Sequence, residues 1–240
     1  MTAVRKQSPE RITPILCSVG IAVPERNVLD VNRFTVAAMI SNTGVQNSWT
    51  LGRWEVLEKA GAGFVTLSLR ADNLRASTKG RAWDMNVTGT VGEEVVWESV
   101  STYLRVGGGD KENGDPGMSL AGIDAKGPVW SVPENIGRTY GAVSGDRNPI
   151  HLHPLTAKAL GFPRHIAHGM WSKARCIAAL ENRLPDAVTV SVAFKKPIFL
   201  PGKAQFGAEK SASGYDFTLV NPKTGAPHLL GRTSAATSGV

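Results

Sequence analysis

The order of helix and strand signals in the second half of the chain constrains its fold most. A helical segment at 168–184 places Met170 and Ile177 on one apolar face. Four segments of mainly alternating apolar residues follow it, and they predict strands at 188–195, 203–212, 215–221 and 229–235. Pro222 to Gly225 predicts a turn before the last strand. One helix followed by four strands predicts an α+β domain, in which an antiparallel sheet wraps around the helix.

The first half shows a similar succession without a strict sequence repeat. A short helix is predicted at 28–40. Strands are predicted at 55–57, 63–70, 81–91 and 95–106, with a tight turn at Gly92-Glu93. The apolar stretch 12–23 follows basic residues, as in a secretory signal, but Pro14 interrupts it. We therefore predict a first strand there and no leader.

A stretch without periodicity separates the two halves. Residues 107–128 are rich in Gly, Asp, Asn and Lys, which is typical of a linker or long loop. The 240 residues are enough for two small domains. We predict an N-terminal domain at 1–106, a linker at 107–128 and a C-terminal domain at 129–240.

Composition excludes several classes of protein. The 27 Lys and Arg against 20 Asp and Glu give a net charge of +7, which favours phosphate groups or acidic partners. Basic residues neither form long runs nor alternate with aromatic residues, so nucleic-acid binding is not predicted. No apolar run is long enough to span a membrane. Cys17 and Cys176 cannot form a disulfide framework, and we expect a cytoplasmic location.

The segment 140–151 carries the clearest chemical signal. Gly145 and the Asn148-Pro149 pair bend the backbone twice, which presents Asp146 and His151 from one compact turn. Asn148 is also predicted to cap a short helix. A carboxylate and an imidazole held this close are suited to proton transfer at neutral pH.

A second signal lies at the start of the long helix. Gly169 has no side chain to block approach, and its N–H lies at the positive end of the helix dipole. Such an N–H can bind a carbonyl oxygen that gains negative charge during a reaction. A base, an acid and an oxyanion donor together indicate proton chemistry next to a thioester or ketone carbonyl.

These residues resemble the MaoC-like dehydratases, which include R-specific enoyl-CoA hydratases and (3R)-hydroxyacyl-thioester dehydratases of double hotdog fold. The resemblance covers about 131–235. It is carried by Tyr140, Ser144-Gly145-Asp146, Asn148-Pro149-Ile150-His151, Ala157, Gly161-Phe162-Pro163 and Ile166-Ala167-His168-Gly169-Met170. It implies two halves, each an antiparallel sheet around a central helix, with the N-terminal half shortened or degenerate.

The resemblance also implies roles for single residues. Asp146 and His151 would be the catalytic pair that activates one water, and the Gly169 N–H would bind the thioester oxygen. Supporting or substrate-binding roles would fall to Ser144, Asn148, His168 and Arg147. The substrate would be an acyl-CoA or acyl-carrier-protein thioester, with no metal and no organic cofactor. A homodimer or a heteromeric dehydratase is the implied assembly.

Other interpretations of the same residues stay open at this point. Asp146 and His151 could only stabilise a turn, and Gly169 could only allow close packing. His151 and His153 have the spacing of a strand-borne zinc pair, although a helix start would separate them. The cations Lys158, Arg164, Lys173 and Arg175 predict a solvated face, or contacts with coenzyme A phosphates or an acidic carrier. Alternative functions are a hotdog thioesterase and a non-catalytic subunit of a heteromeric dehydratase.

Overall fold

A computed structural model describes residues 17–22, 46–51, 64–120, 123–185 and 188–235. The predicted helix at 28–40 and the predicted strand at 55–57 lie outside these ranges. The strands are β1 (Cys17–Ala22), β2 (Gln46–Leu51), β3 (Phe64–Ser77), β4 (Gly80–Val91), β5 (Glu94–Val106), β6 (Val129–Val132), β7 (Val188–Phe194), β8 (Gly202–Lys210), β9 (Gly214–Val220) and β10 (Pro227–Ala235). The α-helices are α1 (Ile136–Ser144), α2 (Pro149–Leu152), α3 (Pro154–Ala159) and α4 (Gly169–Ala178).

The strands form one ten-stranded sheet in the order β1-β3-β4-β5-β2-β7-β10-β9-β8-β6. All neighbours run antiparallel. Counted within its own half, each set of five strands has the same order, first-third-fourth-fifth-second. The two second strands, β2 and β7, pair at the centre, with Gln46 opposite Ala193 and Leu51 opposite Val188. The two halves therefore repeat one topology, although their sequences show no strict repeat.

This arrangement confirms the predicted α+β hotdog class. In the second half, the helices lie between β6 and β7, and the sheet packs against α4. In the first half, the described strands β3, β4 and β5 have 14, 12 and 13 residues, more than any strand of the second half. The segments on which the predicted shortening rested lie mainly outside the described residues.

Most predicted strand boundaries agree with the structure within a few residues, but β3 continues to Ser77, seven residues beyond its predicted end, and β2 was not predicted. The Gly92-Glu93 turn is present, and Gly225 closes the last turn through its N–H to the Asn221 carbonyl at 2.9 Å. The long helix is shorter than predicted, because it ends at Ala178 and a 3-10 turn follows at Glu181–Arg183. No helix in the described part of the chain is long and apolar enough to cross a membrane.

The described residues of the predicted linker contain no helix, and their strand pairing is limited to an isolated bridge between Ser77 and Asp115. The Asp115 carboxylate also pairs with Arg75 at 2.8 Å. At its other end, the Gly127 N–H donates to the Phe206 carbonyl at 2.9 Å. The segment is thus anchored at both ends, and the domain boundaries at 106 and 128 stay a prediction.

The main core lies between α4 and the strands of the second half. Cys176, Ile177 and Leu180 are fully buried there against inward-facing side chains of the sheet. The sheet residues concerned are Val188, Val190, Val192, Phe217, Leu219 and Leu229. Removing one large side chain from such a core typically costs about 2–5 kcal/mol of unfolding free energy. This packing fixes α4, and with it the residues at its N-terminus.

One part of the predicted cationic face is wrong. Lys173 is 1% exposed, whereas Lys158, Arg164 and Arg175 are exposed as predicted. Lys173 lies three residues after Met170 and four before Ile177, so helical geometry puts all three on the buried face. Burial lowers the pKa of the Lys173 amine well below its usual value. The Arg175 guanidinium instead lies 4.6 Å over the Trp130 ring.

Candidate active site

A helix that the sequence patterns did not predict, α1, begins the site. Gly145 ends it in the left-handed conformation, with φ of 73°. The Ser144 hydroxyl donates to the Tyr140 carbonyl at 2.9 Å and accepts the Asp146 N–H at 3.2 Å. Ser144 thus supports the turn that carries Asp146. This agrees with the supporting role expected of it, although its direct contact is with the backbone.

Two glycines bring α1 close to the backbone of the site. A Cβ atom on Gly137 would collide with the His151 carbonyl oxygen. A Cβ atom on Gly141 would lie 2.7 Å from the Asp146 carbonyl oxygen, which is also too close. Both glycines are buried on the same face of α1. The absence of their side chains therefore sets how closely α1 approaches Asp146 and His151.

The loop from Asp146 to Asn148 is held by its own side chains. The Asp146 Oδ1 accepts the Asn148 N–H at 3.0 Å, and the Asn148 Oδ1 accepts the Ile150 N–H at 3.3 Å. Asn148 caps α2 with Pro149 in the first turn, as predicted. Arg147 between them is exposed. The carboxylate keeps its second oxygen, Oδ2, for other contacts.

His151 is buried in α2, and its tautomer follows from one hydrogen bond. Its Nδ1 lies 2.8 Å from the Ile166 carbonyl oxygen, which can only accept, so Nδ1 carries the proton. In the neutral ring, Nε2 is then free to accept a proton. Burial lowers the pKa of His151, and the Ile166 carbonyl and Asp146 partly oppose this shift. The ring is therefore suited to act as a base near neutral pH.

His168 is fully buried and stands just before α4. Its Nε2 donates to the Asp146 carbonyl at 3.0 Å and lies 3.8 Å from Asp146 Oδ2. Its ring stacks on His151 with centroids 3.7 Å apart and contacts the Tyr140 ring at 5.0 Å. Burial, together with the neighbouring His151, lowers the pKa of His168 to about 4. His168 thus links both proposed catalytic residues, as a support rather than as a proton carrier.

Gly169 opens α4 and lines the same cavity. A Cβ atom there would lie 3.1 Å from two carbons of the Phe194 ring, which is closer than usual packing allows. Close packing therefore accounts for the missing side chain. Gly169 is the first residue of α4, so no carbonyl of the helix accepts its N–H. The packing interpretation and the oxyanion interpretation are compatible, because they concern different atoms.

One cavity of about 490 Å³ joins these groups. Asp146, His151, His168 and Gly169 line it together with apolar side chains such as Phe162. Lys195 and Lys196 also line it, and both are exposed. The cavity is therefore shared by the predicted acid-base residues, Asp146 and His151, and by Gly169 at the N-terminus of α4.

The remaining histidines have other roles, and the position of His228 at the site was not predicted. His153 Nδ1 accepts the Leu155 N–H at 3.2 Å and caps α3, so it does not pair with His151 as a zinc ligand. His165 Nε2 donates to the Glu134 carbonyl at 3.0 Å. His228 on β10 lines the cavity, and its Nδ1 donates to the Lys196 carbonyl at 3.0 Å. The residue pattern around His228 gives no local sign of this position.

Asp146, His151 and His168 also form a group that could hold a metal ion. Their candidate ligand atoms lie within 4.8 Å of one another. However, the His168 Nε2 is already used as a donor to the Asp146 carbonyl. Metal binding through that atom would break this hydrogen bond. A metal ion at this His168 atom and the observed hydrogen bond are therefore mutually exclusive.

Comparison with known proteins agrees with the geometry. The family described as MaoC like domain matches residues 125–226. The 3-hydroxyacyl-thioester dehydratase X of Mycobacterium tuberculosis is 38% identical over 170 residues, which cover 69% of this chain and 60% of that protein. The (R)-specific enoyl-CoA hydratase of Aeromonas caviae is 32% identical over 77 residues, or 30% of this chain and 58% of that protein. This chain therefore spans about three fifths of each of these curated relatives.

The fold comparison extends further along the chain. The crystal structure of HtdX from Mycobacterium tuberculosis matches with a TM-score of 0.68 and 28% sequence identity, and the match covers 91% of this chain and 100% of that one. Taken with the motif around Asp146 and His151, these findings show that this chain carries a MaoC-like dehydratase domain, which the family model matches over residues 125–226.

Proposed function

We propose that this protein catalyses the R-specific hydration of trans-2-enoyl thioesters and the reverse dehydration of (3R)-hydroxyacyl thioesters. One observation carries the proposal: a carboxylate and a buried, neutral imidazole with a free Nε2 line one cavity. The names of the two curated relatives, a dehydratase and a hydratase of this kind, support the same reaction. Because water is the nucleophile, this acid-base chemistry requires no nucleophilic side chain and no organic cofactor.

In the hydration direction, one water lies between the Asp146 carboxylate and the His151 Nε2. The pair removes a proton from this water as its oxygen bonds to C3 of the enoyl group. One proton then passes from the pair to C2, so the product has gained one water and the pair returns to its starting state. The Ile166 carbonyl keeps the His151 ring in the required tautomer throughout.

The thioester carbonyl gains negative charge when C3 is attacked. The Gly169 N–H at the start of α4 is the donor proposed to bind this oxygen, aided by the helix dipole. Phe194 packs against Gly169 and shields this end of the cavity. Ser144, Asn148 and His168 hold the catalytic pair in position, through the hydrogen bonds described above. Arg147 is exposed next to Asp146, where it can meet charged groups of the incoming substrate.

The substrate's carrier, the assembly and the location are part of the same proposal. The substrate is a CoA or carrier-protein thioester, and the protein acts in fatty-acid metabolism as a homodimer or within a heteromeric dehydratase. A cytoplasmic location is consistent with Cys176, which is a free, buried thiol. Gel filtration with light scattering measures the assembly directly.

The decisive experiment follows the enoyl-thioester absorbance of crotonyl-CoA with purified protein, and an R-specific coupling enzyme reads the chirality of the product. Loss of absorbance that is R-specific and abolished in Asp146→Asn supports the proposal. Release of free CoA thiol without hydration would favour a thioesterase. Binding of enoyl thioesters without turnover, also with long-chain and carrier-bound substrates, would favour a non-catalytic subunit.

A further inference from the structure

We propose that His228 is a substrate-binding residue, whose Nε2 accepts a hydrogen bond from an amide N–H of the thiol arm that carries the acyl group. The amide concerned is the one nearest the thioester sulfur. The inference rests on the proposed function and deepens it, because it assigns a contact to a part of the substrate that does not react.

A β-bulge brings His228 to the cavity. The pairing of β10 with β9 shifts register between Pro227, which is opposite Val220, and Leu229, which is opposite Leu219. His228 is therefore the extra residue of the bulge. Successive residues of a regular strand point to opposite faces, yet His228 and Leu229 are both buried, with exposed fractions of 8% and 0%. Bulges commonly redirect a side chain next to an active site, and His228 lines the cavity that contains the proposed catalytic pair.

The backbone and the ring of His228 are both bound to the segment that follows β7. The Lys195 N–H donates to the His228 carbonyl at 2.9 Å, and the Lys196 N–H donates to the Pro227 carbonyl at 3.1 Å. The His228 Nδ1 lies 3.0 Å from the Lys196 carbonyl oxygen, which can only accept, so Nδ1 carries the proton. In the neutral ring, Nε2 is then an acceptor.

The surroundings of His228 keep its ring neutral. Burial lowers the pKa of His228, and the charge of Lys196 lowers it further, while the carbonyls of Lys196 and Pro197 partly oppose this shift. A neutral ring with one bound nitrogen can offer its other nitrogen to a hydrogen-bond donor. It is not suited to carry a proton at neutral pH.

The Nε2 atom of His228 is buried and has no hydrogen-bond partner among the residues that the structure describes. Most buried polar atoms in native proteins have a partner, because an unpaired one loses its hydration without compensation. The nearby Lys195 ammonium is used elsewhere, since it donates to the Met118 carbonyl at 3.2 Å. Because His228 lines the cavity, a molecule bound there can supply the missing donor.

The chemistry of the proposed substrate leaves few donors for this acceptor. The alkene, the carbonyl and the sulfur of an enoyl thioester carry no N–H or O–H. The 3-hydroxyl of the product comes from the water that Asp146 and His151 are proposed to activate, so it lies with that pair. The next donor along the molecule is the amide N–H of the thiol arm, two methylene groups from the sulfur. Lys195 and Lys196 beside His228 are exposed, so this part of the wall is near the open end of the cavity, where the arm would enter.

The test compares two small substrates that differ in one group. These are the crotonyl thioester of N-acetylcysteamine, which has the amide, and the crotonyl thioester of 2-acetoxyethanethiol, in which an ester oxygen replaces the N–H. We expect the wild type to prefer the amide by about tenfold in kcat/KM, because the ester leaves the buried acceptor unpaired. Both thioesters have the same reacting atoms, so the ratio reports on the arm.

Two variants of His228 separate a substrate contact from a structural role. His228→Asn keeps a donor for the Lys196 carbonyl but has no atom in the place of Nε2, so the amide preference should fall to about one. His228→Gln reaches further and carries an acceptor oxygen, so it should keep part of the preference. Thermal unfolding of both variants measures their folding separately. A preference in His228→Asn equal to that of the wild type overturns the inference.

Binding of unreactive analogues distinguishes this inference from the proposed function. The saturated butyryl thioesters of the same two thiols are titrated into protein with ¹⁵N-labelled histidine, and the Nε2 resonance of His228 is assigned by its loss in His228→Asn. We expect the amide analogue to shift this resonance and the ester analogue to leave it in place, since a hydrogen bond changes the shielding of the accepting nitrogen. Such a shift without turnover of either crotonyl thioester means that the reaction fails and the contact stands. The absence of an amide-dependent shift overturns the contact, whether or not turnover is observed.

Discussion

The imidazole rings of His151 and His168 stack with their centroids 3.7 Å apart and their planes inclined by 27°. His168 fixes the Asp146 backbone through Nε2, and His151, whose Nδ1 is bound to the Ile166 carbonyl, lines the cavity. Two positively charged rings at this distance repel each other. At most one of the two imidazoles is therefore protonated to the imidazolium form. His168, which is the more deeply buried of the two, is therefore the ring that stays neutral, and His151 is the ring proposed to exchange protons.

This stack makes stability depend on pH. The pKa of His168 is lowered to about 4, and burial also lowers the pKa of His151 and of His228. Below the ordinary histidine pKa of about 6.5, the unfolded chain binds protons that the folded chain excludes. The stability these neutral rings provide is thus complete above pH 6.5 and is lost as pH falls towards 4.

Urea unfolding at several pH values from 7.5 to 5 measures this dependence. We expect the midpoint to fall with pH in this window and to fall less steeply in His168→Asn. Lowered carboxyl pKa values, such as that of Asp216 beside Arg232, act at lower pH and do not interfere. A midpoint that stays level or rises on acidification would contradict neutral, buried histidines.

Removing either member of the proposed catalytic pair should greatly slow turnover with little effect on folding. Asp146→Asn keeps an oxygen that can accept the Asn148 N–H, and His151→Asn keeps a donor for the Ile166 carbonyl. Both variants lose the group that moves the proton, so kcat should fall by about 10²–10⁴-fold. Steady-state kinetics and thermal unfolding of the same preparations check this. Near-normal kcat in either variant would remove that residue from the mechanism.

A proline at Gly169 tests the oxyanion donor without breaking α4. Gly169 is the first helical residue, where proline is tolerated, and the preceding His168 already has the extended backbone that proline prefers. Gly169→Pro removes the N–H, whereas Gly169→Ala keeps it and introduces a similar contact with Phe194. We expect kcat of the proline variant to lie about 10²–10³-fold below that of the alanine variant. Equal kcat values would show that Gly169 serves packing alone.

A methyl group at Gly137, on the face of α1 that packs against α2, should displace His151. It would collide with the His151 carbonyl, so α1 and α2 must separate. We expect Gly137→Ala to lower the unfolding free energy by about 1–3 kcal/mol and to reduce kcat, because His151 moves relative to Asp146. Ala142→Ser is the control, since Ala142 is exposed on the same helix. Wild-type kinetics in Gly137→Ala would contradict close contact between these helices.

Local patterns predicted most of the elements and the motif, but not β2 or α1, because the forces that set the predicted ones act within a few residues. Strand alternation, the Gly92-Glu93 turn and the Asn148 cap each depend on neighbouring side chains and backbone groups. The same applies to Asp146 and His151, which one short loop brings together. The burial of Lys173 could also have been predicted from the sequence, because Met170 and Ile177 lie on the same face of the helix. The helix α1 was missed because its two glycines weaken the helical signal.

The sequence by itself determined that the chain is α+β and which family it resembles, and it singled out Asp146 and His151 as the candidate catalytic residues. Only the tertiary structure decided the strand order, the stacking of His168 on His151 and the presence of His228 in the cavity. The repeated topology of the two halves also became visible only in three dimensions. A strand pairs through its backbone and needs only an alternating apolar pattern, which many strands share. The sequence of one strand therefore does not indicate which distant strand will pair with it.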